Sequence, residues 1–454
     1  MAFGALRGTL TGASTNPATG INATGSVAIS VGDLILVNIA RLSHSTSAPS
    51  VTDNLGNTYA LIGNTSTTDS FTGNPVILPA YSIVASAGTL TSVSFTSGTT
   101  TNDLAIAVAV YEGAFNGSAP LDVDTFSEAD ATSSSTACPA SGTLAQSDEL
   151  VIGMQAQTTG ATAGSYGSTG SFALDVSASS GTGSSTISCG ICSLVVSSTT
   201  SQSPVITTGS NQYGWGKTLS FRKSGGSVTK GSRIASMAAT ANASTSSSVS
   251  VSSCVDVSVG DVILIVVSEN NATEASFSSF ADNIGNTYSA RSASYSTPDS
   301  YQVFTSIVSV AGRLSDVTGT RATSSGSFTI VGTVFRGPYS AVDKDIAVVS
   351  DTTSPHTGPA TGTLNLADEL VVYPLGSYAG SASHAFVPSS PMKNAICFLR
   401  TNNTTLASIG YNVVSSTSSV QYTFTNSGTL DSVLIGAITF KYAASGRSFG
   451  IIFG

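Results

Sequence analysis

The chain contains an internal repeat, and this repeat limits its fold more than any other feature. Four blocks recur in the same order: VGDLILVNIA at 31–40 and VGDVILIVVS at 259–268, DNLGNTY at 53–59 and DNIGNTY at 282–288, SGTLAQSDELVIG at 141–153 and TGTLNLADELVVY at 361–373, and KTLSFRKS at 217–224 and GAITFKYA at 436–443. The paired blocks are offset by 228, 229, 220 and about 219 residues. Chance would not keep four matches in one order at a nearly constant offset. We therefore predict a duplicated unit of about 215 residues.

The repeat also sets the predicted domain boundaries. The run SGGSVTKGS at 224–232 is rich in Gly and Ser, which is typical of a short flexible linker. We place the first copy at 1–224, the linker at 225–231 and the second copy at 232–443. Residues 444–454 have no counterpart at the end of the first copy.

Hydrophobic residues in each copy follow the pattern of β-strands. Segments such as LAIAVAVYEG (104–113) and SFTIVGTVFRG (327–337) are apolar, rich in β-branched residues and bounded by Gly, Asn, Ser and Thr. Hydrophobic residues make up 41% of the chain, enough for a core despite the abundant Ser, Thr and Gly. We predict an all-β fold of two tandem β-sandwich units, Ig-like or jelly-roll-like, with roughly eight to twelve strands per copy. One large sandwich per copy and two small packed sandwiches both fit this length.

Charge and composition exclude several classes of protein. Lys plus Arg total 16 and Asp plus Glu total 25, so the formal net charge is −9. A nucleic-acid-binding surface needs clustered Lys and Arg, and a helical bundle needs Lys and Glu in quantity, so neither class fits. No apolar run suits a signal peptide or a membrane span. Five cysteines do not make a disulfide framework, so we expect folding in a reducing cytoplasm.

The DNLGNTY and DNIGNTY blocks predict a tight turn. Asp53 and Asn54 begin it, Gly56 supplies a positive φ, and the following residues start a return strand, which together predict a β-hairpin. A calcium site is the alternative, because Asp53, Asn54 and Asn57 offer oxygen ligands. One carboxylate with two amides carries little negative charge for such a site, so the hairpin is favoured.

Few residues are arranged for catalysis or metal binding. His44, His356 and His384 have no second His or Cys at metal-ligand spacing, and no Gly-x-Ser-x-Gly elbow stands on a predicted strand-to-helix turn. Cys189 and Cys192 form CGIC in a predicted strand, where residues three apart face opposite sides and fit a core better than a redox pair. We expect no catalytic residue, no cofactor and no metal.

The acidic pair of the DEL blocks, at 148–150 and 368–370, has a structural interpretation. Adjacent residues on a strand point to opposite faces, so Asp148 and Glu149 do not form a catalytic pair by themselves. We expect a turn-closing Asp followed by the first residue of a buried strand.

The tail after the second copy carries a cluster of large apolar residues. Phe449, Ile451, Ile452 and Phe453 lie within SFGIIFG at 448–454. Left in water, such a segment would favour aggregation. We predict that these four residues dock on a neighbouring subunit; packing back on their own domain as an edge strand is the alternative.

The blocks VGDLILV…VTDNLGNTY and VGDVILI…FADNIGNTY resemble β-sandwich modules of tailed-phage virion proteins, and similar modules occur in some bacterial surface and secreted proteins. This resemblance implies a role in fibres, capsid decoration or tail-surface structures, in which such modules are not enzymes. The resemblance implies no catalytic residue in this chain.

We therefore expect a non-enzymatic structural protein of a bacteriophage virion, assembled in the host cytoplasm. Its expected partners are other virion proteins or further copies of itself, and a host-surface glycan; nucleic acid and membrane insertion are not expected. Two alternatives stay open. One is a bacterial surface adhesin or carbohydrate-binding module, for which Trp215 alone gives little support because sugar platforms use several aromatic residues. The other is a glycan-cleaving tail enzyme, which needs two carboxylates from different strands facing one groove.

Overall fold

The fold is built from β-strands and turns. A computed structural model describes residues 3–14, 18–41, 50–62, 76–101, 103–117, 120–159, 166–168, 170–180, 186–225, 231–241, 248–270, 277–296, 299–321, 328–378, 386–399, 405–426 and 432–443. No helix occurs in these ranges, and every strand pair in them is antiparallel, so the predicted all-β class is confirmed. We call residues 3–225 the first half and 231–443 the second half.

The first half begins with an eight-stranded sheet in the order β4-β7-β2-β1-β8-β3-β6-β5. Its strands are β1 (Ala5–Ser14), β2 (Ala18–Ile29), β3 (Leu34–Arg41), β4 (Ser50–Asp53), β5 (Ala60–Leu61), β6 (Val76–Ile83), β7 (Gly88–Thr101) and β8 (Leu104–Glu112). A six-stranded sheet follows in the order β11-β14-β10-β13-β12, with β9 also paired to β14. Its strands are β9 (Leu121–Ala137), β10 (Glu149–Thr159), β11 (Tyr166–Ser168), β12 (Ala173–Ser179), β13 (Thr186–Val196) and β14 (Val205–Arg222).

The second half begins with two sheets, β15-β23-β17-β21-β19, to which β20 adds on β21, and β16-β22-β18. Their strands are β15 (Arg233–Ala241), β16 (Ser248–Val257), β17 (Val262–Asn270), β18 (Phe277–Asp282), β19 (Ser289–Ala290), β20 (Ser294–Ser296), β21 (Asp299–Ile307), β22 (Gly312–Arg321) and β23 (Phe328–Phe335).

Two further sheets complete the second half, β24-β31-β26-β29-β28 and β25-β30-β27. Their strands are β24 (Tyr339–Asp351), β25 (His356–Thr357), β26 (Glu369–Tyr378), β27 (Phe386–Pro388), β28 (Lys393–Leu399), β29 (Thr405–Val414), β30 (Thr423–Asn426) and β31 (Ser432–Tyr442). The expected eight to twelve strands per copy was too low, since β1–β14 and β15–β31 are described. The additional strands are short edge strands with few apolar residues, so the apolar pattern did not predict them.

The central strands are buried on both faces, which sets how the sheets stack. Every residue of β3 is buried. Leu36 packs in a core shared with the sheet of β10, β13 and β14, whereas its neighbour Ile35 packs in a core shared with β2 and β7. In the second half Leu264 and Ile265 of β17 divide in the same way between two cores. The strands β1-β8-β3-β6-β5 in the first half, and the sheet that contains β17 in the second half, therefore form the middle layer of their half.

Candidate functional site at the junction of the halves

The Asp of each Val-Gly-Asp block is a buried clamp. Asp33 lies 2.9 Å from Arg7 Nε, and Asp261 lies 2.8 Å from Arg336 Nη1. Each carboxylate also accepts two backbone N–H bonds, from Ser30 and Gly113 in the first half and from Ser258 and Gly337 in the second. Arg7 lies in β1, whereas Arg336 directly follows β23. The clamp therefore recurs with an arginine from a different part of the chain in each half.

The Asp of each DNxGNTY block holds its turn through a similar set of hydrogen bonds. Asp53 accepts bonds from the N–H of Leu55 (2.8 Å) and Asn57 (3.1 Å), from Asn57 Nδ2 (3.0 Å) and from the Tyr59 hydroxyl (3.0 Å). Asp282 accepts bonds from the corresponding donors of Ile284, Asn286 and Tyr288 and from Gly285 N–H. Both oxygens of each carboxylate are therefore committed to the protein.

The same blocks are tied to a second turn. Asn57 Oδ1 accepts bonds from the N–H of Ala85 and Ser86, and Asn286 Oδ1 accepts bonds from the N–H of Ser309 and Val310. The block joins two turns at one end of the sheets. These bonds support the structural interpretation over calcium binding. Among the described residues, no group of three or more His, Cys, Asp or Glu could hold a metal ion.

The predicted hairpin is wrong in one respect. Gly56 has the expected positive φ of 76°. However, β4 pairs with β7, whereas β5 pairs with β6, so the strands on either side of the turn do not pair with each other. The turn is a corner that carries the chain from one layer to the next. Turn chemistry fixes the local backbone but not the partner of the next strand.

The DEL blocks begin buried strands as predicted, and their glutamates meet a second acid that sequence analysis missed. Glu149 Oε1 accepts a bond from Gln146 N–H (3.1 Å), and Asp122 accepts one from Ala145 N–H (2.8 Å). Asp122 also forms an ion pair with Arg222. Burial, together with repulsion from Asp122, raises the pKa of Glu149 to about 7.

The second half repeats this pair of acids with a lysine as the cation. Asp343 accepts a bond from Asn365 N–H (3.1 Å) and lies 2.8 Å from Lys441 Nζ, and Glu369 accepts one from Leu366 N–H (2.9 Å). Burial raises the pKa of Glu369, and repulsion from Asp343 adds a smaller increase. Burial alone would raise the pKa of Asp343, but the bonds from Lys441 and Asn365 lower it.

Each pair thus combines a glutamate whose pKa is raised with an aspartate that forms an ion pair with a cation. Such a combination can in principle exchange a proton with a substrate. Here the acids hold the loop before the strand, and Glu149 and Glu369 are fully buried.

A buried ionic cluster joins the two halves. Asp124 of β9 lies 2.5 Å from Lys217 Nζ of β14 and 3.4 Å from Arg233 Nη1, which begins β15 in the second half. All three side chains are at most 5% exposed. Charged residues are only 9% of the chain, so a cluster of this kind away from water is a specific feature of the junction.

Further contacts surround this cluster. Asp256 N–H donates to Gly117 O (3.0 Å), and Arg313 Nη2 donates to Ile83 O (3.2 Å). Burial raises the pKa of Tyr411 in the second half. The charge of Arg233 lowers this pKa and the charge of Asp122 raises it, both by less than burial does. The junction therefore contains hydrogen bonds to backbone carbonyls as well as buried ion pairs.

The internal repeat contains a signal that could have identified the acids Asp122 and Asp124. Asp122-Val-Asp124 recurs 221 residues later as Asp343-Lys-Asp345, at the offset of the nearby repeat blocks. Two acids separated by one residue lie on the same face of a strand. Lys217 and Arg222 lie in the last repeat block, but their pairing with β9 depends on strand order.

Other residues considered from the sequence lie apart from this cluster. His356 is buried on β25, and Cys189 and Cys192 are buried free thiols in different cores, as the strand interpretation predicted. Trp215 is buried in the core and presents no sugar platform. His44, His384 and the tail residues Phe449, Ile451, Ile452 and Phe453 lie outside the described residues.

No protein-family model matches the chain, and no similar curated protein or solved structure is found. Among the described residues there is no helix long and apolar enough to span a membrane.

Proposed function

We propose that the chain is a non-enzymatic structural protein of a bacteriophage virion, a component of the capsid decoration, a fibre or the tail surface. It would be assembled in the host cytoplasm and bind other virion proteins or further copies of itself. The observation that supports the structural role is that acidic residues recurring in both halves form the hydrogen bonds and ion pairs that hold turns, loops and the junction. The virion setting depends on the sequence resemblance.

We also propose that the halves are tandem copies of one unit, joined by the linker at 225–231. The strand order β1-β8-β3-β6-β5 corresponds to β15-β23-β17-β21-β19, and β9-β14-β10-β13-β12 corresponds to β24-β31-β26-β29-β28. In the first half β1 also pairs with β2 at Thr11 and Thr24, which joins two layers that are separate sheets in the second half. Corresponding strand order and hydrogen bonds at corresponding blocks support duplication.

The apolar tail is the proposed docking segment. Phe449, Ile451, Ile452 and Phe453 would each contribute roughly 1.5–3 kcal/mol on burial, before the cost of ordering the segment. A neighbouring subunit that supplies a sheet edge or a groove would bury them.

Mass spectrometry of gradient-purified particles from cells that produce the chain tests the function. We expect peptides from both halves to be recovered with the particle at a fixed ratio to the major particle protein. Recovery of the chain only in the particle-free fraction would contradict the virion role. A variant that lacks residues 447–454 should be lost from particles, whereas unchanged incorporation would contradict docking by the tail.

A further inference from the structure

A buried cation of the first half has no counter-charge among the described residues. Arg41 is the last residue of β3, and it is 6% exposed. Its Nε and Nη1 atoms are buried and have no hydrogen-bond partner in the part of the chain that the structure describes. Burial lowers the pKa of Arg41 to about 10. A guanidinium in such a place is costly unless an anion pairs with it.

The strand places Arg41 at one end of a hydrophobic core. Alternation along β3 puts Arg41 on the same face as Val37 and Ile39, which pack in the core shared with β2 and β7. Arg41 pairs with Leu104 of β8, which belongs to the same core. Asp103 precedes Leu104, but burial raises the pKa of Asp103, whereas a neighbouring guanidinium would lower it. Asp103 is therefore not the counter-ion of Arg41.

The corresponding position of the second half carries a charge that is paired. Arg41 directly follows the block VGDLILVNIA, as Glu269 directly follows VGDVILIVVS. On the neighbouring strand, Glu269 pairs with Phe328 at the place where Arg41 pairs with Leu104. Glu269 Oε1 lies 3.4 Å from Arg321 Nη2, and both of these side chains are 1% exposed. The same end of the core thus holds a buried ion pair in the second half.

The other residues around this ion pair also differ between the halves. Arg321 Cζ lies 4.9 Å from the centre of the Phe328 ring and 5.9 Å from the centre of the Phe277 ring. In the first half Leu104 stands at the position of Phe328. Ser97 stands at the position of Arg321, counted from the strand pairs that precede each DNxGNTY turn. At these positions the first half therefore carries one positive charge and no negative one.

We propose that Arg41 is the cationic centre of a binding site for an oxyanion, a carboxylate or phosphate group that gives Arg41 the charge that Glu269 gives Arg321. A guanidinium donates charge-assisted hydrogen bonds to such a group, and Nε and Nη1 are the donors that lack an acceptor here. These bonds are stronger in an apolar environment than in water. The oxyanion can be free or part of an acidic sugar, and the inference goes beyond the proposed structural role.

Stability without added oxyanion tests whether the chain leaves Arg41 unpaired. Urea midpoints of the full chain, of Arg41→Met and of Arg321→Met are measured in a zwitterionic buffer at low chloride. We expect Arg41→Met to be at least as stable as the wild type, because it removes an unpaired buried charge. Arg321→Met should be less stable, because it leaves Glu269 without its cation. A lower midpoint for Arg41→Met, or its failure to fold, would mean that the chain itself pairs Arg41 and would overturn the proposal.

Added anions test binding itself. Phosphate, acetate and N-acetylneuraminate, a sugar carboxylate, are each titrated against chloride at constant ionic strength, because a chain of net charge −9 also responds to screening. A ligand that binds only the folded state raises the urea midpoint with its concentration. We expect at least one oxyanion to do so for the wild type. Arg41→Met should bind it at least about tenfold more weakly, the factor that loss of one charge-assisted hydrogen bond produces. Lys223→Met is the matched control, because Lys223 is a cation of the first half that is 46% exposed, and it should respond as the wild type does.

The order of the anions identifies the source of the oxyanion. A response to N-acetylneuraminate at lower concentration than to acetate or phosphate supports an acidic sugar, and the reverse order supports a free anion. Midpoints that rise equally in the wild type and Arg41→Met would show a general solvent effect of the anions and overturn the proposal. A wild type that responds to none of them would also overturn it. Recovery of the chain with purified particles is measured separately, so the proposed function can stand when this site fails.

Discussion

At the scale of single residues, the recurrent acids act on the backbone around them. Asp53 joins two backbone N–H groups, an amide and a phenol within seven residues, and Asp282 does the same in the second half. An ionised acceptor makes stronger hydrogen bonds than a neutral one, so one side chain can fix a whole corner. These residues were recognisable from the sequence because their donors are local.

Replacing Asp53 with Ala should lower the free energy of unfolding by about 3 kcal/mol, because several part-buried donors lose their acceptor. Urea denaturation followed by circular dichroism measures the change. Asp148→Ala is the control, since the Asp148 side chain is 59% exposed and its pair with Lys223 spans 3.7 Å. Equal effects of the two substitutions would contradict the role of Asp53.

Glu149 should make stability depend on pH. Its pKa is about 7 in the folded protein and near 4.5 when unfolded, so its neutral form stabilises the fold fully below the unfolded value. That stabilisation is lost as pH rises through about 7, by an amount on the order of 3 kcal/mol. Glu149→Gln keeps a neutral side chain and should remove this loss.

Urea midpoints at about pH 5 and about pH 8 test this dependence. The variant should gain stability relative to the wild type only at the higher pH. Asp148→Asn is the control and should leave the dependence unchanged. A difference between Glu149→Gln and wild type that is equal at both pH values would refute the assignment.

At the scale of elements, the apolar runs identified the strands but not their neighbours. β3 and β17 were visible as continuous apolar sequence, which is expected of a strand buried on both faces. The order of the sheets was not visible, because turn residues do not say which strand the chain joins next. The corner was therefore mistaken for a hairpin. The meeting of Asp122 with Glu149 was missed because it depends on β14 lying between β9 and β10.

Substitutions on the two faces of β3 should be equally harmful. Leu36→Ala and Ile35→Ala should each cost about 2–5 kcal/mol, because both side chains are fully buried, in different cores. A strand at the surface of a sandwich would tolerate one of them. Val31→Ala, at an exposed position just before β3, should change the urea midpoint little. A small effect of either β3 substitution would contradict the middle-layer position.

At the scale of the whole molecule, buried unlike charges join the first half to the second. The Asp124–Arg233 pair lies across the junction. Leu6 pairs with Tyr111 as Arg233 pairs with Phe335, so Leu6 occupies the corresponding position in the first half. Removing one partner of such a buried pair is costly, so the junction favours one arrangement of the halves. The sequence repeat predicts a duplication, which stays a proposal, whereas the difference between the Leu6 and Arg233 environments required the structure.

Amide hydrogen exchange of the full-length protein, measured by NMR or mass spectrometry, tests whether the recurrent acids hold the turns and the junction of the two halves. We expect the slowest exchange in β3 and β8 and, to a matching degree, in β17 and β23. The amides of Leu55 and Ile284, which bind Asp carboxylates in turns, should also be protected, as should Asp256 N–H across the junction. Protection confined to one half would contradict the correspondence of the two halves. Turn amides that exchange at unprotected rates would contradict the role of these acids.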